Sequence, residues 1–246
     1  MANKFYAPGE QRAAKVNDLF ATIARRYDLL NDLQSFGLHR RWKRRAVALA
    51  QPQPGDRALD VCCGTGDLAQ LLAATGAEVT AVDFSAAMLE VAEQRQRAKG
   101  KGQKVEFQQG DAMQLAFADA RFEIVTIGYG LRNLASVDAG LRELRRVLKP
   151  GGRLVILEFG KPTNVLWRWI YFQHLRFVTP LLGKLFCGDA AAYAYILESL
   201  QNYPGQEGVA QKLRDLGLTE VRAFNLLGGA MSLHFARQPL RHQSVA

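Results

Sequence analysis

The stretch Ala58–Ala69, ALDVCCGTGDLA, decides the fold of this 246-residue chain. Ala58, Leu59 and Val61 form a short apolar run that reads as a buried strand. Asp60 stands near its end, Gly64-Thr65-Gly66 follows, and a helical pattern begins at Asp67. Two glycines at this spacing let the backbone turn tightly and approach a ligand with no Cβ in the way. The helix behind them presents unpaired N–H groups. Such a strand–turn–helix unit holds a nucleotide-like cofactor at the carboxyl edge of a parallel sheet.

Electrostatics narrows the choice of cofactor. Gly64-x-Gly66-x-x-Ala69 formally satisfies the dinucleotide fingerprint. Asp60, four residues before the first glycine, would repel a pyrophosphate at the mouth of that site. S-adenosylmethionine (SAM) carries no phosphate but has an ammonium and a sulfonium, so D-x-x-x-G-x-G suits it. Two more carboxylates fall at strand ends. Asp83 closes an apolar run at Glu78–Val82, where a carboxylate reaches ribose hydroxyls. Asp111, followed by Ala112, closes the run Val105–Gln109 and is placed to accept from an adenine amino group. Gly128 ends a fourth run, Phe122–Ile127, where only its backbone can serve the cofactor. Asp60, Gly64, Thr65, Gly66, Asp83, Asp111, Ala112 and Gly128 are therefore the expected SAM-binding residues.

Outward from this centre the chain keeps a regular beat. Strands are expected at Arg57–Val61, Glu78–Val82, Val105–Gln109, Phe122–Ile127 and Arg153–Phe159. Helices between them cover about 67–75, 86–98 (with Ser85 as cap) and 137–148. Alternation at these lengths means an α/β doubly wound parallel sheet. The expected whole is a Rossmann-like class I SAM-dependent methyltransferase with a seven-stranded sheet. Its last two strands, near 219–225 and 231–236, follow a helix at about 208–216. Residues 1–50 read as a helical cap, with helices at about 10–24 and 40–50 and a break at Tyr27–Asp32. Residues 51–160 form the cofactor core, 160–205 a helical insertion, and 206–240 the closing helix and hairpin, all in one domain.

Composition sets the outer bounds. With 48% hydrophobic residues the chain can bury one substantial core. No apolar run reaches the ~18 residues of a membrane span, and the N-terminus lacks the apolar core of a secretory signal. A cytoplasmic enzyme is expected. Three cysteines, two of them adjacent at Cys62-Cys63, suit neither a disulfide framework nor a metal site. The net charge of +9 concentrates in His39-Arg40-Arg41-Trp42-Lys43-Arg44-Arg45. That stretch fits nucleic acid, an anionic membrane surface or a solvated helix face. Residues 165–178 mix aromatic and basic side chains, which suits an interfacial segment, a pocket wall or a core helix pair.

Several segments together resemble the quinone-biosynthesis C-methyltransferases that act on demethylmenaquinol and on the ubiquinol precursor. They are Tyr27-Asp-x-x-Asn31-Asp32, Ser35-Phe-Gly-x-His39-Arg-x-Trp42-Lys43, Gly130-Leu-Arg132-Asn133, Leu157-Glu-Phe and Leu227-x-x-Gly…Leu233-His234, beside the cofactor loop. The doubled cysteine looks more like the branch acting on phylloquinone precursors, and Gly128 replaces a serine. The resemblance implies methylation of a ring carbon, which needs the electron-rich quinol with one hydroxyl ionised. Arg132 stays protonated and so would stabilise the phenolate or polarise a water. Asn133 and Tyr27 would orient the ring, and His39 is a candidate proton acceptor. The implied partners are a prenylated quinol and the membrane surface at which its tail resides, without nucleic acid, and a homodimer is admitted. Localisation would be cytoplasmic and peripheral to the membrane.

Rival readings remain at this point. An adenine-N6 nucleic-acid enzyme needs an Asn/Asp-Pro-Pro-aromatic turn where Gly128-Tyr-Gly-Leu stands. A cytosine-C5 enzyme needs its cysteine on another loop. A non-catalytic SAM-fold accessory subunit of quinone biosynthesis and a small-molecule O- or N-methyltransferase complete the set.

Overall fold

In the computed structural model, which describes residues 18, 20–100, 105–181 and 191–240, the apolar runs fold into one seven-stranded sheet. The strands are β1 (Arg57–Val61), β2 (Glu78–Asp83), β3 (Glu106–Gln109), β4 (Phe122–Gly128), β5 (Leu148–Phe159), β6 (Thr219–Leu226) and β7 (Met231–Arg237). Their order is β3-β2-β1-β4-β5-β7-β6. The first five run parallel, and β7 enters antiparallel between β5 and β6. Strand order reverses at β1, which pairs with β2 on one side and β4 on the other. In an open parallel sheet that reversal opens a crevice at the carboxyl ends, and the Gly64–Gly66 turn sits there.

The helices are α1 (Tyr27–Ser35), α2 (Leu38–Ala50), α3 (Asp67–Ala73), α4 (Ala86–Lys99), α5 (Val137–Val147), α6 (Val165–Gln173), α7 (Ala191–Asn202) and α8 (Gly205–Asp215). Side chains alternate between the two faces of the strands, so the sheet feeds two cores. Leu59, Val61, Val125, Ile127 and Ile156 pack with Leu141 and Leu144 of α5, Leu200 of α7 and Leu213 of α8. Ala58, Ile124, Val155 and Leu157 pack with Ala46 and Val47 of α2 and with Leu68 and Leu72 of α3. Parallel strands buried on both faces explain why β1 and β4 lack a polar alternation.

Four local expectations change. Tyr27–Asp32 does not break the cap's helical pattern: it is the body of α1. The break comes later, where Phe36 and Gly37 take left-handed conformations (φ 50° and 73°) and end the helix. Strand β5 starts at Leu148 and not Arg153, because Lys149–Gly152 loops out as a bulge between the Phe122↔Leu148 and Ile124↔Arg153 pairs. Ser85 occupies the N-cap position of α4, yet its hydroxyl makes no capping bond. Asp83 accepts the N–H of Ser85 itself at 2.9 Å, just ahead of the helix. In the insertion, α6 passes into a π-helical turn at His174–Val178 before α7. The expected helix at 10–24 lies mostly outside the described residues. Its end, at 20–23, is helical and runs into a 3-10 turn at Ala24–Arg26.

Candidate active site

Two cavities meet above the carboxyl ends of the strands. The smaller, about 110 Å³, is lined by Gly64, Asp83, Asp111, Gly128, Gly130 and Asn133, among others. A narrow extension of about 30 Å³ continues it toward Asp60, Thr65, Asp67 and Lys43. The larger cavity, about 380 Å³, lies beneath the cap and insertion, with Trp42, Phe159, Tyr171 and Tyr195 in its wall. Tyr27 and Tyr129 line all three spaces and stand where they adjoin.

The strand ends hold the smaller cavity open by unusual backbone. Cys62, after β1, and Tyr129, after β4, both adopt left-handed φ (55° and 61°). For side chains larger than glycine this is strained, and such strain gathers at functional sites. Cys62 then presses on Gly130, where a Cβ would lie 2.3 Å from Cys62 Cβ. Gly130→Ala is therefore expected to displace Cys62, cost about 1–3 kcal/mol by overpacking, and weaken SAM binding at least tenfold. Calorimetric titration and thermal melting read both effects. Cys62→Gly in the same chain removes the clash, and failure to restore binding would refute this explanation. Burial, reinforced by Asp83 and Asp60, pushes the Cys62 and Cys63 thiols well up, so both remain unreactive packing groups.

The acidic residues expected at the cofactor are distributed along this crevice. Asp83 accepts the Gly64 N–H at 2.8 Å through one oxygen and the Ser85 N–H through the other. It thereby fixes the glycine turn from the neighbouring strand, and it lines the smaller cavity. Burial raises its pKa, against the opposing backbone hydrogen bonds. Asp111 accepts the Met113 N–H at 2.8 Å and lines the same cavity. Ala112 is buried in the core beside it. Asp60 accepts from Thr126 Oγ1 at 2.7 Å, while its second oxygen is buried without a partner among the described residues. Burial lifts the Asp60 pKa to about 7, with Thr126 and Lys43 opposing the rise. A buried carboxylate oxygen lacking a donor, at the end of a crevice, fits the cationic end of SAM. When bound, SAM supplies an electrophilic methyl group.

Thr65 lines the extension while tying it to the cap. Its hydroxyl donates to Asp28 of α1 at 2.8 Å, and Arg95 of α4 donates to its carbonyl at 3.1 Å. Arg95 also pairs with Asp28 and Asp67, both at 2.7 Å, and Lys43 of α2 closes on Asp67 at 2.8 Å. This cluster ties the cap to the cofactor turn. Lys43, Asp28, Asp67 and Arg95 were not singled out as site residues. Asp28 and Lys43 lie in the segments that carry the family resemblance, whereas Asp67 and Arg95 carry no signal beyond a charge on a helix.

Arg132 sits in the floor of the larger cavity, beside the wall shared with the smaller one. It is buried against the fully buried Glu158 of β5, with Nη1 donating to Glu158 Oε1 at 2.5 Å. Its backbone N–H also donates to Glu158, and Nη2 donates to the Tyr195 hydroxyl at 3.0 Å. The guanidinium stacks over Phe159 at 4.4 Å. Burial opposes its charge, but Glu158 and Tyr195 outweigh that and raise its pKa. Burial likewise raises Tyr27 and Tyr195, so both phenols stay protonated. Asn133 donates to the Tyr129 carbonyl at 3.2 Å and lines the smaller cavity, not the larger one. His39 does line the larger cavity. Glu158 and Tyr195 were missed as site residues, although an acid inside the apolar run Leu154–Phe159 was a visible signal for Glu158.

The family model of the ubiE/COQ5 methyltransferase family matches residues 9–238. The chain belongs to that family. It is 43% identical over 94% of its length to a ubiquinone/menaquinone biosynthesis C-methyltransferase of Ectopseudomonas mendocina, covering 92% of that protein. It is 41% identical, with the same coverage of both chains, to the demethylmenaquinone methyltransferase of Desulfitobacterium hafniense. Among solved structures, a SAM-dependent methyltransferase from Aquifex aeolicus superposes with TM-score 0.55 at 20% identity, covering 75% of this chain and 83% of that one. That likeness shows the fold. As a ubiE/COQ5 methyltransferase the protein is a SAM-dependent enzyme with the Rossmann-like class I architecture that its motifs imply.

Proposed function

We propose that this methyltransferase methylates the ring carbon of a prenylated demethylmenaquinol, giving menaquinol. The observation that carries the reading is the pair of adjoining cavities. A crevice lined by carboxylates meets an aromatic chamber across the wall formed by Tyr27 and Tyr129. The chamber is large enough for a flat bicyclic ring and the first part of a tail. Ring-carbon methylation requires an ionised hydroxyl, and a phenolic pKa near 10 means that the site must favour the anion. Tyr27 and Tyr195 remain protonated and so serve as hydrogen-bond donors to that oxygen. Glu158 offsets the charge of Arg132, which therefore acts chiefly by polarising the Tyr195 hydroxyl that accepts from it. Asn133 steadies the turn on the cofactor side.

Anaerobic transfer from labelled SAM, with demethylmenaquinol, demethylphylloquinol and a ubiquinol-precursor benzoquinol offered in parallel, tests the reading. Label on the naphthoquinol ring carbon is the expected result. SAM binding without transfer to any of the three would instead favour an accessory subunit.

The same site supports engagement with a membrane surface. Phe36, Ile170 and Leu227 line the chamber and are also exposed, so its rim is apolar. Leu166, Trp169, Phe177 and Leu181 continue that exposed surface. Arg168 and Arg176 stand among them, and Arg40, Arg41 and Arg44 are exposed on the cap. The basic stretch is not uniform: His39 and Lys43 turn inward. No helix among the described residues is long and apolar enough to cross a membrane. Flotation with anionic vesicles is expected to carry the protein at low salt, and Trp169→Asp with Leu166→Asp to reduce the bound fraction at least fivefold. Absence of flotation with or without quinol would sink the membrane reading alone.

A further inference from the structure

Asp32 and His39 form a dyad on the cap, and it gives His39, a candidate proton acceptor on sequence grounds, a defined orientation. His39 Nε2 lies 2.8 Å from Asp32 Oδ1. Asp32 also accepts from Arg40 Nε at 2.8 Å and Nη2 at 2.5 Å. The Arg40 bonds, with His39 beside them, hold the Asp32 carboxyl below its usual range, so it is ionised and purely an acceptor. Nε2 therefore carries the hydrogen of the neutral ring, and Nδ1 carries the lone pair. His39 is 3% exposed, lines the chamber, and its Nδ1 has no partner among the described residues. A nitrogen base oriented by a carboxylate and unpaired, on a side chain that lines a substrate cavity, is the arrangement that general-base chemistry needs.

We propose that His39, oriented by Asp32, takes the proton from the quinol hydroxyl. The inference rests on the methyl-transfer reading above. The O–H bond breaks, its proton passes to Nδ1, and the electron pair stays on oxygen as an aryl oxide. The ring carbon made nucleophilic by that oxide forms the new C–C bond to the methyl group, and the S–C pair leaves with sulfur. Loss of the proton on the methylated carbon restores the aromatic ring. The imidazolium returns its proton to the oxide, so one proton is released per turnover. Tyr27 and Tyr195 donate to the oxide meanwhile, which separates stabilisation from proton removal.

The surroundings of His39 favour a base over an imidazolium. Desolvation lowers its pKa, with Asp32 opposing, Lys43 of its own helix assisting and Asp67 of α3 opposing. Lys43 is itself paired with Asp67. His39 is consequently neutral at pH 7 and protonates only below its ordinary value near 6.5. One other histidine, His174, lines the chamber, but no described carboxylate orients it.

His39→Gln, Asp32→Asn and His174→Gln test the proposal through pH profiles of kcat. In the wild type kcat is expected to fall on an acid limb below pH 6.5, as His39 protonates. In His39→Gln kcat is expected to fall about 100-fold or more, and the acid limb of the profile to disappear. SAM affinity is expected to change less than threefold. Asp32→Asn, which keeps the base but not its orientation, is expected to move the acid limb to lower pH. An acid limb kept in His39→Gln with kcat within threefold, or lost in His174→Gln instead, would overturn the assignment. If His39→Gln does not fold, an acid limb unmoved in Asp32→Asn overturns it equally. A wild type that transfers no methyl to any quinol fails the function reading, whereas methyl transfer with an unchanged acid limb in His39→Gln fails the dyad alone.

Discussion

Glu158→Ala is expected to lower stability by about 3–5 kcal/mol and to abolish methyl transfer. Glu158 is fully buried and meets Arg132 through both carboxylate oxygens. Removing it takes away the one carboxylate described against the guanidinium, which is otherwise met by Phe159, the Tyr195 hydroxyl and the Tyr129 carbonyl. Desolvation of a buried ion that has lost a carboxylate outweighs what those neutral partners return. For a chain of this size the loss corresponds to a fall in Tm of roughly 10 °C or more. The double change Glu158→Leu with Arg132→Met removes both charges and is expected to recover most of the stability, because a buried ion pair is weak evidence of net stabilisation. Activity should stay absent in that variant, since the Tyr195 hydroxyl has lost its polarising donor. A Glu158→Ala protein that melts within 2 °C of the wild type, by the same scanning measurement, would show that the pair is not insulated as described.

The sheet was readable from the sequence because its strands are buried on both faces and leave continuous apolar runs between glycine turns. The motif at Ala58–Ala69 located the crevice, and Asp60, Asp83 and Asp111 fall along it because strand ends are fixed once the strands are. Legibility failed where a residue's role depends on a partner distant in sequence. Thr65 lies in the cofactor turn, yet its hydroxyl bonds Asp28, 37 residues away. Arg132 reads as a free cation until Glu158, 26 residues on, is seen beneath it. Ser85 carries a good capping residue's chemistry, yet its hydroxyl makes no capping bond, and its own N–H is held by Asp83. Tyr27–Asp32 reads as a break because its helix turns Tyr27 and the polar Asn31 to the chamber and leaves Leu29 exposed, so no apolar stripe marks it. In each case local propensity was overridden by a tertiary contact, and most of those contacts belong to the site.

The apparent affinity for SAM is expected to rise about tenfold per pH unit between pH 5 and about 7, then level off. The group responsible is proposed to be Asp60, whose pKa stands at about 7 because it is buried. In the unfolded chain an aspartate ionises near 3.9. Between these values the folded protein retains a proton that the unfolded chain has lost. Asp60 therefore contributes its full share of stability below about pH 4 and loses it as the pH climbs to 7, up to about 4 kcal/mol in all. Its carboxylate form, costly in the unliganded protein, is the form that attracts an ammonium. Binding must first remove the proton below pH 7, which produces the slope, and above pH 7 the carboxylate is already present. Asp60→Asn retains an acceptor for the Thr126 hydroxyl and discards the charge. That variant is expected to be more stable than the wild type at pH 8, to bind SAM at least 100-fold more weakly there, and to show no slope between pH 5 and 7. Isothermal titration across that range, with melting curves at pH 5 and 8, reads every element of the argument. A wild-type affinity that is flat with pH, or an Asn variant that keeps the slope, would place the titrating group elsewhere. The stability gain and the affinity loss have one origin, an unpaired buried oxygen that the cofactor's positive end is there to meet.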